Sequence, residues 1–207
     1  MVALAKKQLP DIRVDLIIGN RRHIVSALED QSIDLAIMGR PPRFPVVESV
    51  ALGDHPHILI ARPDHPLITA RDISRERLLA ETFILREAGS GTRILLERFL
   101  DRVGECRTYD QLEFNTNETL KQAVIAGLGI ALISAHTVMD ALAANRITTI
   151  DMPGLPIVRQ WHLVHTVNAG LPPVTEKVLD FIIAQDGSFL PQLPYKVSRY
   201  LLTVRKN

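Results

Sequence analysis

Strand-like and helix-like segments alternate along almost the whole chain, and this alternation constrains the fold more than any other feature of the sequence. The short apolar runs at 33–38 and 129–134 are typical of buried strands. Between such runs lie stretches such as 93–103, whose apolar residues recur at the spacing of one helix face. This alternation favours an α/β fold with largely parallel sheets.

The boundaries of the elements follow from apolar periodicity and from capping and turn-forming residues. We predict strands at 12–18, 33–38, 46–61 with an interruption at 53–56, 82–85, 109–114, 129–134, 147–151 and 158–167. We predict helices after the N-cap candidates Asn20 and Asn117, after the turn 89–92, and at 72–79, 135–144 and 173–185. The stretches 20–39 and 117–134 echo each other as similar βα units, one in each of two lobes, although any α/β protein contains such echoes.

Charge and cysteine content exclude several classes of protein. The net charge is +1, with 24 basic and 23 acidic residues and no basic block, so the chain alone is a poor candidate for binding duplex DNA. The single cysteine, Cys106, rules out a disulfide within the chain and fits a reducing compartment. No apolar run approaches the roughly 18 residues of a membrane span, and residues 1–10 lack the apolar core of a signal peptide. We therefore expect a cytoplasmic protein with no membrane partner.

Four motifs occur in a characteristic order and spacing. They are Asp34-Leu35-Ala36-Ile37-Met38-Gly39, His65-Pro66-Leu67, Gly89-Ser90-Gly91-Thr92-Arg93 and Ala126-Gly127-Leu128-Gly129-Ile130-Ala131-Leu132-Ile133. In this order the motifs resemble the regulatory domain of LysR-type transcription regulators, over roughly residues 3–185. Three stretches are most similar to the regulators of carbon-fixation (RuBisCO) operons, namely 38–42, 53–57 and 86–93.

The resemblance implies a two-lobed α/β fold like that of periplasmic binding proteins. Each lobe is expected to be a mostly parallel sheet flanked by helices, and two crossover strands are expected to join the lobes. The implied crossings lie near 58–62 and 161–165. Lobe one is then discontinuous, comprising 1–60 and 163–187, lobe two spans 61–162, and 188–207 is a C-terminal tail.

Two departures from the family pattern bear on partners. The family's N-terminal winged helix-turn-helix is absent here, so DNA is expected as a partner only through that absent domain. The family's first central strand, with its Ser/Thr-bearing loop, is absent as well. The strand-like stretch 197–204 lies outside the resemblance, and it either replaces that strand or leaves the lobe incomplete. The resemblance further implies a homodimer of regulatory domains and a tetramer at full length.

The function implied by the resemblance is binding of a small effector that controls transcription of carbon-fixation genes, without catalysis and without a cofactor. The effector is expected to be anionic, such as a phosphorylated sugar. Two other classes of protein share parts of the pattern: a solute-binding protein of a transport system, which has the same two-lobed architecture, and a small α/β enzyme. The missing signal peptide disfavours the first class, and the lack of a catalytic constellation disfavours the second.

The turn 89–92 before a helix is the strongest candidate for a ligand site. Free backbone N–H groups at a helix start favour an anion, and glycines let the backbone approach a ligand closely. Ser90 and Thr92 add hydroxyl groups, and Arg93 adds a cation unless it pairs with Glu97 one turn later. Because the resemblance places this turn at the mouth of the ligand cleft, we predict that the ligand is bound by Ser90, Gly91, Thr92 and Arg93.

Five further candidates lie at predicted strand ends or helix starts, which is where doubly wound sheets bind their ligands, and a sixth, His165, follows the predicted return crossover. They are Asn20, Gly39, Arg40, Asn117, Glu118 and His165. Most of them have an ordinary alternative role. The asparagines are also suited to capping helices, Arg40 to a solvated loop, Glu118 to the helix dipole, and His165 to a hydrogen bond within its strand.

Three other patterns contain residue types found in metal sites, nucleophiles or reactive thiols, but each has a better structural explanation. Asp54, His55 and His57 are residue types that bind metals, but Pro56 interrupts the run and no second cluster completes a coordination shell. Ser90 lacks the Gly-x-Ser-x-Gly context of a nucleophile. A lone cysteine near a helix end, such as Cys106, is typical of an inert thiol. We therefore expect neither a metal site nor a catalytic residue.

Overall fold

Residues 1–104, 108–167 and 170–191 are described by the structure, which is a computed structural model. The helices are α1 (Val2–Gln8), α2 (Arg21–Glu29), α3 (Arg75–Leu79), α4 (Gly91–Gly104), α5 (Asn117–Ile125), α6 (Met139–Ala143) and α7 (Pro173–Ala184). The strands are β1 (Ala36–Met38), β2 (Val47–Ala61), β3 (Phe83–Arg86), β4 (Gln111–Phe114), β5 (Ala131–Ser134), β6 (Thr148–Thr149) and β7 (Ile157–Thr166). A 3-10 turn, Ala135–Thr137, precedes α6.

The predicted alternation of strands and helices is confirmed from residue 20 onward. Asn20 caps α2 as predicted, because its side-chain oxygen accepts a hydrogen bond from the N–H of His23 at 3.0 Å. Pro173 is the first residue of α7. The first N–H groups of a helix have no hydrogen-bond partner within it, so the lack of an N–H group in proline removes no helical hydrogen bond there. Local capping chemistry therefore locates the starts of these helices.

The strand predicted at 12–18 is wrong, since these residues form no regular secondary structure. Leu16 is 65% exposed and Ile18 is 85% exposed. A strand needs a neighbour, because an isolated one leaves its backbone groups unpaired and its apolar face in water. Among the residues that the structure describes, no strand pairs with this segment. The alternating pattern of residues 12–18 is therefore not matched by strand pairing in the described part of the chain.

β2 is one continuous strand of 15 residues, so the interruption predicted at 53–56 is also wrong. Gly53 has φ +146°, and a Cβ there would lie 2.8 Å from Cδ1 of Leu190. The glycine thus lets β2 pass close to Leu190 without a break. Pro56 precedes His57, where the register with β5 begins, so its missing N–H lies outside that ladder.

The described chain divides into two compact units. Unit 1 comprises Met1–Asp54 and Arg159–Pro191, and unit 2 comprises 55–158. The chain leaves unit 1 within β2 and returns to it within β7. The predicted lobe boundaries, after residue 60 and before residue 163, lie a few residues further along the chain. The first unit is therefore discontinuous, and the strands β2 and β7 connect it to the second.

Unit 1 is built on antiparallel pairing between β1 and β7, with Ala36 opposite Val164. α2 packs on this pair, and one apolar cluster contains Leu28, Ala36, Met38 and Val164. A second cluster joins α1 and α7 to the strands through Ala5, Leu52, Leu163, Phe181 and Ile182. Burial of these faces places the start of α2 beside the end of β1.

Unit 2 has a sheet that is covered on both faces. Ile58 and Ile60 of β2 lie in a cluster with α5 and α6, whereas Leu59 and Ala61 lie in a cluster with α3 and α4. This two-sided burial explains why residues 58–61 form an unbroken apolar run rather than an alternating one. α4 and α5 are thereby fixed on the sheet, and their N-terminal ends are positioned by it.

The sheets are mixed rather than largely parallel. β2 is antiparallel to both β5 and β6, and β1 is antiparallel to β7. β3 is parallel to β4, and Phe83 at its start bridges in parallel to Ile130. Apolar patterns reveal strands but carry no information on strand direction. The sequence analysis therefore predicted more parallel strand pairing than the structure has.

Candidate functional site

The turn between β3 and α4 in unit 2 has the geometry that its sequence suggested. Gly89 has φ +95°, a conformation that favours glycine. Ser90 is buried, its N–H donates to the carbonyl oxygen of Glu87 at 3.1 Å, and its own carbonyl oxygen accepts from the N–H of Ile94 at 3.2 Å. Ser90 is therefore the last residue before the helix, and Gly91 is the first residue in it.

The start of α4 lacks the side-chain cap found at α2, α3 and α5, as do the starts of α1, α6 and α7. Asn20, Ser74 and Thr116 each accept a backbone N–H of the helix that follows them. Across the described residues, no side chain accepts the N–H of Gly91 or Thr92. A Cβ built on Gly91 would meet nothing within 4 Å. The space beside Cα of Gly91 is therefore open, and the first N–H groups of a helix favour an anion.

Arg93 pairs with carboxylates on two elements. Its Nε donates to Oε1 of Glu97 at 2.7 Å, its Nη1 donates to the carboxylate of Glu113 on β4, and Nη1 also lies 3.3 Å from the carbonyl oxygen of Arg86. The hydrogen bond to Glu97, and then that to Glu113, raise the pKa of Arg93. The cation predicted to bind an anion is therefore balanced within the chain, and it ties α4 to β4.

Arg86, at the carboxyl end of β3, is a polar centre that the sequence analysis did not select. Its Nε and Nη2 donate to Oε2 and Oε1 of Glu87 at 2.7 and 2.9 Å. Its Nη1 donates to Oδ1 of Asn117. The N-cap prediction for Asn117 is wrong, because Thr116 is the cap and its hydroxyl accepts the N–H of Thr119 at 3.0 Å. The position of Arg86 at a strand end was the available signal.

Glu118 lies in the first turn of α5, where it pairs with its own helix. Its carboxylate accepts from Nζ of Lys121 at 2.6 Å and from Nε2 of Gln122 at 2.8 Å. The hydrogen bonds to Gln122 and Lys121 lower the pKa of Glu118. Contacts with its own helix therefore explain how the Glu118 carboxylate is held.

Three of the four predicted residues of unit 1 fall in two places. Asn20 starts α2, and Gly39 and Arg40 form the bend after β1. Arg21, which the sequence analysis did not select, joins these places because it donates to the carbonyl oxygens of Arg40 and Pro41.

His165 lies apart from them, on β7. Its Nε2 is 3.4 Å from Oε2 of Glu48, and its Nδ1 is 3.3 Å from the carbonyl oxygen of Thr166. These contacts match the alternative role of a histidine that is hydrogen-bonded within its strand.

The histidines after Gly53 form a packed group rather than a set of ligands. Nε2 of His55 lies 2.9 Å from Oγ of Ser134, and its ring centroid lies 4.3 Å from that of His57 and 5.9 Å from that of His136. Burial, followed by His57 and His136, lowers the pKa of His55 to about 2. In the described part of the chain, no three acidic, cysteine or histidine side chains are placed to hold a metal ion.

Two remaining predictions concern other parts of the chain. Cys106 and the strand-like stretch 197–204 lie outside the described residues. Within the described ranges, no helix combines the length and the apolar character that crossing a bilayer would require.

Comparison with known proteins shows the family of the chain. Residues 1–187 match a family model described as the LysR substrate binding domain. The chain is 46% identical over 194 residues to the HTH-type transcriptional regulator CbbR of Cereibacter sphaeroides, covering 94% of this chain and 63% of that protein. It is 39% identical over 185 residues to the RuBisCO operon transcriptional regulator of Allochromatium vinosum, covering 89% of this chain and 61% of that protein. The chain thus spans about three fifths of the length of these relatives.

Solved structures share the fold. The regulatory domain of CcmR from Synechocystis PCC6803, in complex with 2-PG, is 31% identical with a TM-score of 0.81, covering 91% of this chain and 90% of that one. The regulatory domain of NMB2055 (MetR), a LysR family regulator from N. meningitidis, is 18% identical with a TM-score of 0.71, covering 93% and 88%. These likenesses confirm the two-lobed α/β fold predicted from the sequence.

Proposed function

The chain belongs to the LysR substrate binding domain family, and we propose that it is the effector-binding domain of a transcription regulator of carbon-fixation genes. One observation carries the binding role: the space beside Cα of Gly91, in the first turn of α4, is open. A helix start of this kind favours a phosphate or a carboxylate group. Relatives that are 39–46% identical and are named as transcriptional regulators support the regulatory role.

The proposed effector is a small anionic metabolite that carries a phosphate group. Its phosphate oxygens would accept hydrogen bonds from the N–H groups of Gly91 and Thr92 and from the hydroxyls of Ser90 and Thr92. The ligand of the Synechocystis neighbour, 2-phosphoglycolate, has such a group. Because that neighbour is 31% identical over most of the chain, we propose the same chemical class here.

The proposed ligand-binding residues differ in whether their polar groups already form contacts within the chain. They are Asn20, Gly39, Arg40, Ser90, Gly91, Thr92, Arg93, Asn117, Glu118 and His165. The turn 90–92 would contact the anion directly. An intramolecular contact would be exchanged for the ligand by Asn20, Arg93, Asn117, Glu118 and His165. No cofactor or metal is proposed.

For the whole protein we propose DNA binding through a winged helix-turn-helix outside this chain. We also propose a homodimer of regulatory domains and a tetramer at full length. The proposed location is the cytoplasm, and the domain is proposed to catalyse no reaction. Support for these proposals comes from the relatives, which are named as regulators of transcription.

Substituting Gly91 with alanine separates binding from folding. A methyl group would meet nothing within 4 Å in the protein, so alanine should leave the domain as stable, or more stable by about 0.4–1 kcal/mol. The same methyl group would occupy the space in which the anion approaches the backbone. We expect the dissociation constant for 2-phosphoglycolate, measured by calorimetry, to rise about tenfold or more.

Gly170→Ala is the matched control, because a Cβ there also meets nothing within 4 Å and the residue belongs to unit 1. It should leave both stability and affinity unchanged. If Gly91→Ala binds 2-phosphoglycolate as tightly as the unsubstituted domain, the start of α4 is not the binding site.

A further inference from the structure

Residues 12–18 form an exposed apolar segment in unit 1. Val14, Leu16 and Ile18 are all exposed to water. Within the described ranges, no backbone group of residues 13–18 hydrogen-bonds another backbone group. An exposed segment with a strand-like sequence and unpaired backbone groups is a template for pairing with another strand. The segment therefore has the properties of an interaction surface.

Both ends of this segment are held by helices. The N–H of Ile12 donates to the carbonyl oxygen of Leu9, the residue that ends α1, at 3.1 Å. At the other end of the segment, Asn20 caps α2. A partner must overcome the conformational entropy of the residues that it orders. Because the ends of the segment are fixed, pairing costs less entropy here than it would at a free terminus.

The sequence of the segment is complementary to itself in one antiparallel register. With a two-fold axis at Val14, Arg13 of one copy faces Asp15 of the other, and Ile12 faces Leu16. The side chains of Arg13 and Asp15 are 87% and 74% exposed, so both can reach a second copy. Opposite charges directly across two strands are favourable, and like charges are unfavourable. An axis at Arg13 or at Asp15 would place identical charges opposite each other, so the register at Val14 is favoured.

The apolar residues of the segment share one face of such a strand pair. Side chains alternate between the two faces of a strand. Ile12, Val14, Leu16 and Ile18 therefore lie on one face, and the charged residues lie on the other. Each apolar side chain would contact those of the other copy across the pair. Pairing thus removes from water apolar surface that a single copy exposes.

We propose that residues 12–18 are a self-association surface, through which two copies of this chain pair as antiparallel strands about Val14. A second copy is the occupant because both the charges and the apolar residues of the segment complement themselves. The proposal deepens the homodimer included in the proposed function, which rests on the relatives, by assigning a surface to it. Since a pair of short strands is smaller than a standard interface, dissociation is expected in the micromolar range.

Charge reversal tests the pairing, with association measured by sedimentation at several protein concentrations. Arg13→Asp and Asp15→Arg each place like charges opposite each other at two symmetric positions. Either variant should therefore dimerise about tenfold more weakly or worse. An equimolar mixture of the two variants should form a heterodimer, because opposite charges then face each other at both positions. Arg71→Asp, an equal change of charge at an exposed position in unit 2, should alter association by less than about twofold.

A disulfide tests the register directly, in chains that also carry Cys106→Ser. Opposed Cα atoms of an antiparallel pair lie about 4.5–5.5 Å apart, which is within the range that a disulfide bridges. Val14→Cys should therefore link two copies on the axis. Leu16→Cys is the matched control, because it is exposed on the same face but its two copies would lie about 14 Å apart. Oxidation should link Val14→Cys much faster than Leu16→Cys.

Four results would overturn this surface. The first is a chain that stays monomeric throughout the micromolar range. The second is a dimer that keeps its affinity in Arg13→Asp and Asp15→Arg, which would leave the proposed homodimer in place on another surface. The third is equal cross-linking of the two cysteine variants. The fourth is a monomer whose melting temperature falls in Leu16→Ser, because the segment would then be covered within its own chain. Effector binding fails separately, in the Gly91→Ala measurement.

Discussion

Replacing Gly129 with alanine is expected to lower the free energy of unfolding of the domain by about 3 kcal/mol or more. A Cβ at this position would lie 2.2 Å from the carbonyl oxygen of Thr82. That oxygen is held in place, because it accepts the N–H of Ile130 at 2.9 Å. Gly129 also has φ +158°, where other residues are rarely found. A methyl group would therefore push apart two backbones inside unit 2.

Urea unfolding followed by circular dichroism measures this effect as a lower midpoint at an unchanged slope. Gly170→Ala is again the control, and its stability should change by less than about 0.5 kcal/mol. A Gly129→Ala domain as stable as the unsubstituted one would mean that the two backbones are further apart than the structure has them.

Acid should destabilise the domain through its buried histidines. His55 has a pKa of about 2 in the folded chain, because it is buried and lies near His57 and His136. An unfolded imidazole binds a proton below about pH 6.5. Between these values the unfolded state binds more protons than the folded state, so stability is complete above about pH 6.5 and is lost as the pH falls. His55 alone should contribute at most about 1.4 kcal/mol per pH unit, a slope approached as the pH falls below about 5.5.

The measurement is the free energy of unfolding at several values between about pH 7 and about pH 5, where buried histidines titrate in the unfolded state but most carboxyl groups do not. His55→Gln should reduce the slope, since glutamine can still hydrogen-bond the hydroxyl of Ser134 but takes up no proton. An equal slope in His55→Gln would show that His55 is not the source of the acid sensitivity.

The elements of this fold were predictable where their causes are local. Asn20 was identified as an N-cap because a side-chain oxygen at a helix start bonds a backbone N–H three residues away. The stretch 46–61 was predicted to be extended, and its apolar end, 58–61, lies in a strand that is buried on both faces. Segment 12–18 has an equally strand-like pattern, but whether it forms a strand depends on a neighbour that no local pattern specifies.

The features of the candidate site were likewise predictable only where their causes are local. The turn 89–92 was predictable, because glycines and hydroxyl residues directly before an amphipathic helix mark its start. The contacts around the turn were not predictable. Arg86 reaches Asn117, which is 31 positions away, and Arg93 reaches Glu113, which is 20 positions away. Strand order and direction decide which charged residues meet at such separations. Neither can be derived from the apolar periodicity of the sequence.

Thermal unfolding in the presence of 2-phosphoglycolate tests the effector-binding role most directly, with glycolate, which lacks the phosphate group, as the control ligand. A ligand that binds only the native state raises its stability by about 2.7 kcal/mol at roughly 100 times its dissociation constant. We predict a concentration-dependent rise in melting temperature with 2-phosphoglycolate, little change with glycolate, and a much smaller rise in Gly91→Ala. If neither 2-phosphoglycolate nor any other phosphorylated metabolite raises the melting temperature at millimolar concentration, the domain does not bind a phosphorylated effector.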